Sequence, residues 1–437
     1  MIEPNSKSRT LSDWLIFLES LHPKTIEMGL ERVNRIRTEL GLIPPFPIIT
    51  VGGTNGKGST CAMLEAILNR AGYRVGCYTS PHLLRYNERV RINRQEVSDT
   101  ELCNAFQDVD SAREKSGISL TYFEFGTLAA MQLFSRAEVD IAILEVGLGG
   151  RLDAVNIFDA DCAVLTSIDL DHMDYLGDTR EKIGFEKAGI FRRGKTAICS
   201  EPNVPENVRR YAKAIGAKFA HIGEDFGYSA NMADVTQWDY WGTAGKRHSL
   251  PHPALRGAYQ LNNASACLAA LDVLRNDFPV TMSDVRQGLL EVTLPGRFHV
   301  LPGRPVTVLD VGHNPAAAHA LAINLASMGR PQKTYAVFAM LRDKDIASVA
   351  RTLASKVDIW LTAGIDAPRG ASADEVMRAL GEAEVTGAGK TIHTFLHPAM
   401  AYAYACEHAT ENDRICVFGS FHTVAEVLRY RKMAAHT

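Results

Sequence analysis

The stretch that most constrains this chain is an apolar run, PIITV, that passes directly into Gly53-Thr54-Asn55-Gly56-Lys57-Gly58-Ser59-Thr60 and then into a helical pattern, CAMLEAILNRAG. A buried strand feeding a glycine-rich turn and a helix start opens a βαβ unit, and such units require a parallel sheet covered by helices. The loop also carries chemistry. Glycine amides can approach phosphate oxygens, the helix N-terminus favours negative charge, and Lys57 and Ser59 add a cation and a hydroxyl. The common spacing, G-x-x-x-x-G-K followed by Ser or Thr, is not met: Val51 stands at the first glycine position and Gly58 follows the lysine. Strand, glycines, lysine and helix nevertheless coincide, so the segment reads as a nucleotide loop.

Before this loop, Trp14, Leu15, Leu18 and Leu21, then Leu30, Val33, Ile36 and Leu40, recur at three- and four-residue steps. They predict a helical arm over residues 1–46, stopped by Gly41 and Pro44-Pro45. After it come a helix from about Thr60 to Ala71, strand YRVGCYTS, helices near Thr100–Lys115 and Leu128–Phe134, and strand VDIAILEVG. Between Glu224 and Pro253 the pattern loosens, with YSANMADV and HSLPHP suggesting short antiparallel strands. A helix resumes in NNASACLAALDVLRN. LPGRFHVLPGRP marks a junction, and PVTVLDVG starts a second series continued by TYAVFAML, VDIWLTA and RICVFGS. The expectation is an α/β chain with a phosphate-loop ATPase domain and a mostly parallel sheet at 1–295, a linker at 296–305, and a smaller Rossmann-like α/β domain at 306–437.

A chain of 437 residues needs two or three cores, and its net charge of −3 argues against a broad basic surface for nucleic acid. Its eight cysteines include no C-x-x-C pair, so they read as reduced thiols and not as zinc ligands. MIEPNSKSRTLSDWL lacks a basic segment followed by an apolar core, and no apolar stretch reaches the roughly 18 residues that cross a bilayer. A cytoplasmic monomer with small-molecule partners is expected, without nucleic acid or membrane.

The loop and the segments around it resemble the Mur ligase superfamily and, within it, the dihydrofolate synthases and folylpolyglutamate synthases. ERVNRI, SPHLLRYNERVRIN, TYFEFGTLAA, LEVGLGGRLDAVN, DLDHMDYLGDTREKIGFEKAGI, LPGRF, DVGHNPAA, LRDKD and FGSFHTVAEV occur in that family's order over nearly the whole chain. The resemblance implies a Mur-ligase-like fold and an ATP-dependent amide ligase. ATP would phosphorylate the carboxylate of 7,8-dihydropteroate or a reduced folate, and L-glutamate would then displace the phosphate. The products are dihydrofolate and folate polyglutamates. ATP is then a cosubstrate, with two Mg²⁺ sites and a monovalent cation implied beside it.

Glu145 closes the apolar strand VDIAILEV, where an ionised carboxylate is costly unless it meets a cation, either Mg²⁺ beside ATP or the side chain of Arg151. Read alone, Ser80 is a turn residue, His172 behind SIDLD a structural hydrogen-bonder, and Lys187 in GFEKAGIF a solvated lysine beside Glu186. The resemblance implies instead that Ser80 and Glu145 hold one Mg²⁺ and His172 a second, with Lys187 carbamylated into an anionic oxygen ligand. With Lys57, the residues Glu145, His172 and Lys187 form the implied catalytic set.

The resemblance also assigns ATP to Thr54, Asn55, Gly56, Lys57, Gly58 and Ser59, adenine to Asn263, a phosphate or nucleotide contact to Arg297, and ribose to Asp310. Taken singly, the last three read as a helix cap, a linker ion pair and a strand-end cap. A dihydropteroate pocket is implied at Glu27, Met28, Gly29 and Leu30, at Thr121, Tyr122, Phe123 and Glu124, and at Leu152, Asp153 and Ala154. There Tyr122 and Phe123 offer ring faces and Asp153 an acceptor for pterin donors. Glutamate is placed at His313 and Ser420.

Three rivals are distinguishable. A cell-wall Mur ligase would share the loop, Glu145, Lys187 and Arg297, but would carry a UDP-recognition domain before the loop, where only about 50 residues stand. An enzyme confined to chain extension need not keep the TYFEFGT and GGRLDA pocket. A nucleotide-gated binding protein would need the loop but not the metal set and acceptor pocket together.

Overall fold

The apolar runs become the strands of two parallel-rich sheets, one in each of two units. The computed structural model describes residues 9–24, 26–231, 234, 236–385 and 390–434. The first unit comprises Met1–His252 with Asn262–Glu291, the second Pro253–Leu261 with Val292–Thr437.

In the first unit the strands are β1 (Ile48–Gly52), β2 (Val75–Tyr78), β3 (Val90–Ile92), β4 (Gln95–Glu96), β5 (Ile141–Glu145), β6 (Cys162–Leu165), β7 (Thr196–Cys199) and β8 (Lys218–His221). They pair in the order β4-β3-β2-β5-β1-β6-β7-β8. All pairings from β2 to β8 are parallel, and β3 and β4 run antiparallel at one edge. Every residue of β1 and β5 is buried, as central parallel strands covered on both faces require. The register sets Tyr78 beside Leu144, Val51 beside Glu145, and Gly52 beside Leu165. The C-terminal ends of β2, β5, β1 and β6 therefore stand side by side. The strand order reverses at β1, the switch point where open α/β sheets bind ligands.

Helices α1 (Leu11–Ser20), α2 (Glu31–Glu39), α3 (Lys57–Arg70), α4 (Asp99–Ser116), α5 (Tyr122–Arg136), α6 (Met173–Leu176), α7 (Arg180–Ala188), α8 (Glu206–Ile215), α9 (Gln260–Leu274, from Asn262 on) and α10 (Met282–Glu291) belong to this unit. The arm expected as one helical stretch is two helices, because His22-Pro23 interrupts the pattern between them. Trp14 of α1 packs edge-on to Phe106 and beside Phe125, which ties the arm to α4 and α5. α5 begins six residues before the expected Leu128, since Thr121 and Glu124 form a reciprocal capping box. The loosened region forms an antiparallel sheet of β9 (Gly227–Ala230), β10 (Gln237–Gly242) and β11 (Gly245–Pro251). Residues 232, 233 and 235 of YSANMADV lie outside the described residues.

The second unit carries β12 (His299–Leu301), β13 (Val306–Asp310), β14 (Thr334–Phe338), β15 (Ile359–Ala363), β16 (Thr391–Phe395) and β17 (Arg414–Phe418), ordered β12-β13-β17-β14-β15-β16. Only β12 is antiparallel to its neighbour. Helices α11 (Pro315–Ser327), α12 (Ile346–Leu353), α13 (Ala373–Glu382), α14 (Pro398–His408) and α15 (Phe421–Ala434) alternate with these strands. All eight cysteines are free thiols. Among the described residues no helix is long and apolar enough to cross a membrane.

Candidate active site

The phosphate loop is held in shape by the segment that follows β6. Thr54 N donates to Ser167 O at 2.8 Å, and Asn55 N donates to Ser167 Oγ at 2.9 Å. Thr166 Oγ1 donates to Asn55 O at 2.7 Å, and Thr54 Oγ1 exchanges hydrogen bonds with the Asp169 backbone. Only glycine fits at position 53: its φ is +144°, and a Cβ there would lie 1.9 Å from Thr166 Oγ1. Gly56 precedes α3 at φ +89°, and the first turn of α3 holds Lys57, Gly58 and Ser59. Lys57 Nζ curls back over the loop to Gly53 O at 3.0 Å and Thr54 O at 3.2 Å. Asn263, on α9, reaches the same loop from the other side, 2.5 Å from where a Gly56 Cβ would stand.

Glu145 ends β5 beside this loop with 3% of its surface exposed. Ser80 follows β2, and its backbone N donates to Glu145 Oε2 at 3.1 Å. The alternative partner weighed for Glu145 is engaged elsewhere: Arg151 pairs with Glu186 at 2.9 Å. His172 stands one residue before α6 in the left-handed region, φ +51°, with its Nε2 3.9 Å from Asp171 Oδ1.

Lys187 is not the solvated lysine its local sequence suggests. It is 4% exposed, and burial brings its ammonium down to about 7, reinforced by the charge of Lys57 and opposed by Asp171 and Asp153. At neutral pH much of its population is thus the uncharged amine that carbamylation needs. Among the described residues no three His, Cys, Asp or Glu side chains form a ready metal cluster. The hydroxyl of Ser80 and the buried carboxylate of Glu145 are hard oxygen donors of the kind a divalent cation of the Mg²⁺ type prefers, while His172 and Lys187 offer an imidazole and an amine.

The three segments implied as a pterin pocket converge. Arg32 joins two of them, 3.5 Å from Glu27 Oε1 and donating to Glu124 Oε1 at 3.0 Å. Gly29 N meets Leu152 O at 3.4 Å, and both Leu176 and the Met28 methyl approach Gly149. Phe123 packs over Gly147 and 5.7 Å from the Tyr78 ring, while the Arg89 guanidinium lies 5.4 Å from the Tyr122 ring. Asp153 is buried and caps its own loop, its two oxygens accepting from Leu148 N at 2.8 Å and Val155 N at 3.1 Å. Burial pushes its carboxyl up to about 7 although those amides and Gly147 pull it down. Leu30 and Ala154 flank helix starts at α2 and at the turn Ala154–Ile157. Arg32 and Arg89 were not marked by the sequence, since neither differs locally from an ordinary surface arginine.

Within the second unit, Arg297 and His313 gather around Phe421, with ring distances of 4.8 and 6.5 Å. Asp310 accepts from Phe298 N at 2.9 Å and Gly312 N at 2.7 Å, and burial raises its carboxyl despite those amides and Arg297. His313 Nδ1 sits 2.9 Å from Val311 O, and Ser420 Oγ accepts from Thr423 N at 3.0 Å at the start of α15. The structure thus brings Arg297, Asp310, His313 and Ser420 to one end of the second sheet.

Residues 51–271 match the Mur ligase middle domain and residues 296–421 the Mur ligase glutamate ligase domain. The dihydrofolate synthase/folylpolyglutamate synthase of Escherichia coli is 45% identical, over 96% of this chain and 94% of that protein. The E. coli FolC structure in complex with DHPP and ADP superimposes with a TM-score of 0.91 at 43% identity, covering 99% of this chain and 100% of that one. A bifunctional folylpolyglutamate synthase/dihydrofolate synthase structure with Mn, AMPPNP and L-glutamate bound gives a TM-score of 0.87 at 44% identity, covering 99% and 100%. With both domains matched and full-length relatives this similar, the chain belongs to the Mur ligase family, in its dihydrofolate synthase/folylpolyglutamate synthase branch.

Proposed function

We propose that this chain is a cytoplasmic, monomeric ligase that uses ATP to join L-glutamate to 7,8-dihydropteroate, giving dihydrofolate, and to reduced folates, giving polyglutamates. The observation that carries the reading is the alignment of four strand ends, which lines up Ser80, Glu145, the phosphate loop and the segment leading to His172, with Lys187 buried within reach of the Lys57 and Asp171 charges.

In this reading Lys57 and the loop amides hold the β and γ phosphates of ATP, and Asn263 fixes the base. Ser80 and Glu145 hold one divalent cation, and His172 with carbamylated Lys187 holds another. Such a cation supplies charge neutralisation on the phosphates during transfer. The substrate carboxylate, oriented by the pocket around Arg32, Phe123 and Asp153, attacks the γ phosphorus, and ADP leaves. The amine of L-glutamate then attacks the acyl carbonyl; phosphate departs and a proton is lost. No protein nucleophile is required, so the rate comes from positioning and from electrostatics fixed in advance.

The test is incubation with ATP, labelled L-glutamate and either dihydropteroate or tetrahydrofolate. Equal yields of ADP and amide product are expected with both acceptors. Acceptor-independent ATP hydrolysis without amide formation would overturn the ligase reading.

A further inference from the structure

We propose that Arg91, held by Glu65, is a positioning residue that fixes the Ser80 limb of the active site to the helix of the phosphate loop; the inference rests on the cation site proposed above. Glu65 lies on α3, the helix Lys57 begins, with 5% of its side chain exposed. It receives Arg91 Nε at 3.0 and 3.2 Å and Nη2 at 2.8 Å, a forked pairing of the strong, directional kind. The other terminal nitrogen of Arg91 donates to Thr79 Oγ1 at 3.2 Å and to Glu88 O at 2.9 Å. Thr79 N in turn donates to Arg89 O at 2.9 Å, and the next residue is Ser80, whose amide rests on Glu145. One guanidinium therefore connects the loop helix, the end of β2 and the turn before β3. A buried ion pair kept only for stability can be replaced by apolar residues without loss. The remaining donors of this one go to Thr79 and Glu88 O, the two chain segments that place Ser80, and to Cys77 Sγ on β2 at 3.3 Å.

The experiment uses the full-length protein and Mn²⁺ as probe, following the free-ion electron paramagnetic resonance signal with a non-hydrolysable ATP analogue present. The double variant Glu65→Leu/Arg91→Met removes the pair without leaving a lone buried charge. Loss of an outer-shell contact costs about 10- to 100-fold in metal affinity, so a fall of that order is expected, with metal-free analogue binding changed less than about two-fold. Thr79→Val, which keeps the ion pair and deletes the hydroxyl that accepts from Arg91 and donates to Glu88 O at 3.5 Å, should show a smaller loss in the same direction and serves if the double variant does not fold. Parent-like Mn²⁺ affinity in Thr79→Val and the double variant, or an equal loss of metal-free nucleotide binding, would overturn the proposal. Glu145→Ala, run in parallel, separates the two readings: if it too keeps full Mn²⁺ affinity, the cation site itself is misassigned.

Discussion

Gly56 and Asn263 meet so closely that no side chain fits between them: a Cβ on Gly56 would stand 2.5 Å from Asn263 Oδ1. The contact couples the phosphate loop to α9, and the backbone at Gly56, φ +89°, disfavours any other residue. Gly56→Ala should therefore introduce strain of about 1–3 kcal/mol and weaken ADP binding roughly 10-fold, measured by titration calorimetry. Adding Asn263→Ala relieves the clash but not the backbone strain at φ +89°, so the melting temperature should recover in part while ADP affinity does not. Recovery of both would mean that Asn263 contributes nothing to the nucleotide.

Lys57 and Glu145 are expected to be needed for chemistry and not for folding. Lys57 bonds two loop carbonyls, and Glu145 is a buried carboxylate beside Ser80. Lys57→Ala and Glu145→Ala should each lower turnover by about 10²-fold or more, the scale of losing one electrostatic stabiliser. Thermal melts should stay within a few degrees of the parent. Near-normal turnover in either variant would show that the site is misplaced.

How far such a site can be read from sequence depends on whether its signal is local. Glu145 stands out because a lone carboxylate ends an apolar strand, and the loop stands out because its glycines and lysine are consecutive. Arg32, Arg91 and Glu65 carry no such mark: each is an ordinary charge in its own segment, and only the packing of distant segments joins Arg32 to Glu124 or Arg91 to Glu65. The same limit applies to strands. The run Ile141–Leu144 is apolar and legible, whereas TIHTF forms β16 at a sheet edge, where polar residues are tolerated and the pattern blurs. Lys187 is the sharpest case, since its sequence neighbours suggest solvent and its burial is created by the fold.

Burial of Lys187 has a pH signature. Below pH 7 the folded and unfolded chains both carry its proton, and the full desolvation cost stands. Between about 7 and the ordinary value of 10.5 the unfolded chain keeps a proton that the folded chain has released, so stability rises with pH across that window. Lys187→Met should flatten this rise in denaturant titrations. The neutral amine can also attack CO₂, forming an N–C bond and losing one proton to give an anionic carbamate. Carbon-13 NMR after equilibration with labelled bicarbonate should show a carbamate signal that Lys187→Met lacks, together with loss of ligation in that variant. A parent protein without that signal would remove the carbamate from the mechanism.

Packing behind the loop can be tested independently of chemistry. A Cβ on Gly288 of α10 would lie 2.6 Å from Ile67 Cγ1 and 2.7 Å from Ile67 Cα, on the helix that begins at Lys57. Backbone cannot yield as a side chain can, so Gly288→Ala should push the helices apart at a cost of about 1–3 kcal/mol. The denaturation midpoint should fall accordingly; an unchanged midpoint would mean that the two helices adjust freely.

Asp153 should separate the two acceptor reactions. Its carboxyl is buried among the segments that approach Met28 and Phe123, away from bulk water, and burial holds its pKa near 7. Dihydropteroate and reduced folates both end in a carboxylate that ATP can phosphorylate, so one nucleotide site serves both if the pterin lies in two placements. Only the placement in the converged pocket would then depend on Asp153. Asp153→Asn keeps an acceptor for Leu148 N or Val155 N and preserves the volume, so it tests the charge more than the fold. We expect it to lower kcat/KM for dihydropteroate at least 10-fold, the discrimination typical when a buried hydrogen-bonding group loses its match, with folate extension changed less than about three-fold. The pH profile gives a second readout. Because Asp153 also acts on the Lys187 ammonium, folate extension is the control: loss in Asp153→Asn of an inflection near 7 in dihydropteroate use, with the folate-extension profile unchanged, would assign it to this carboxyl. Equal losses with both acceptors would instead place the two pterins in one common site.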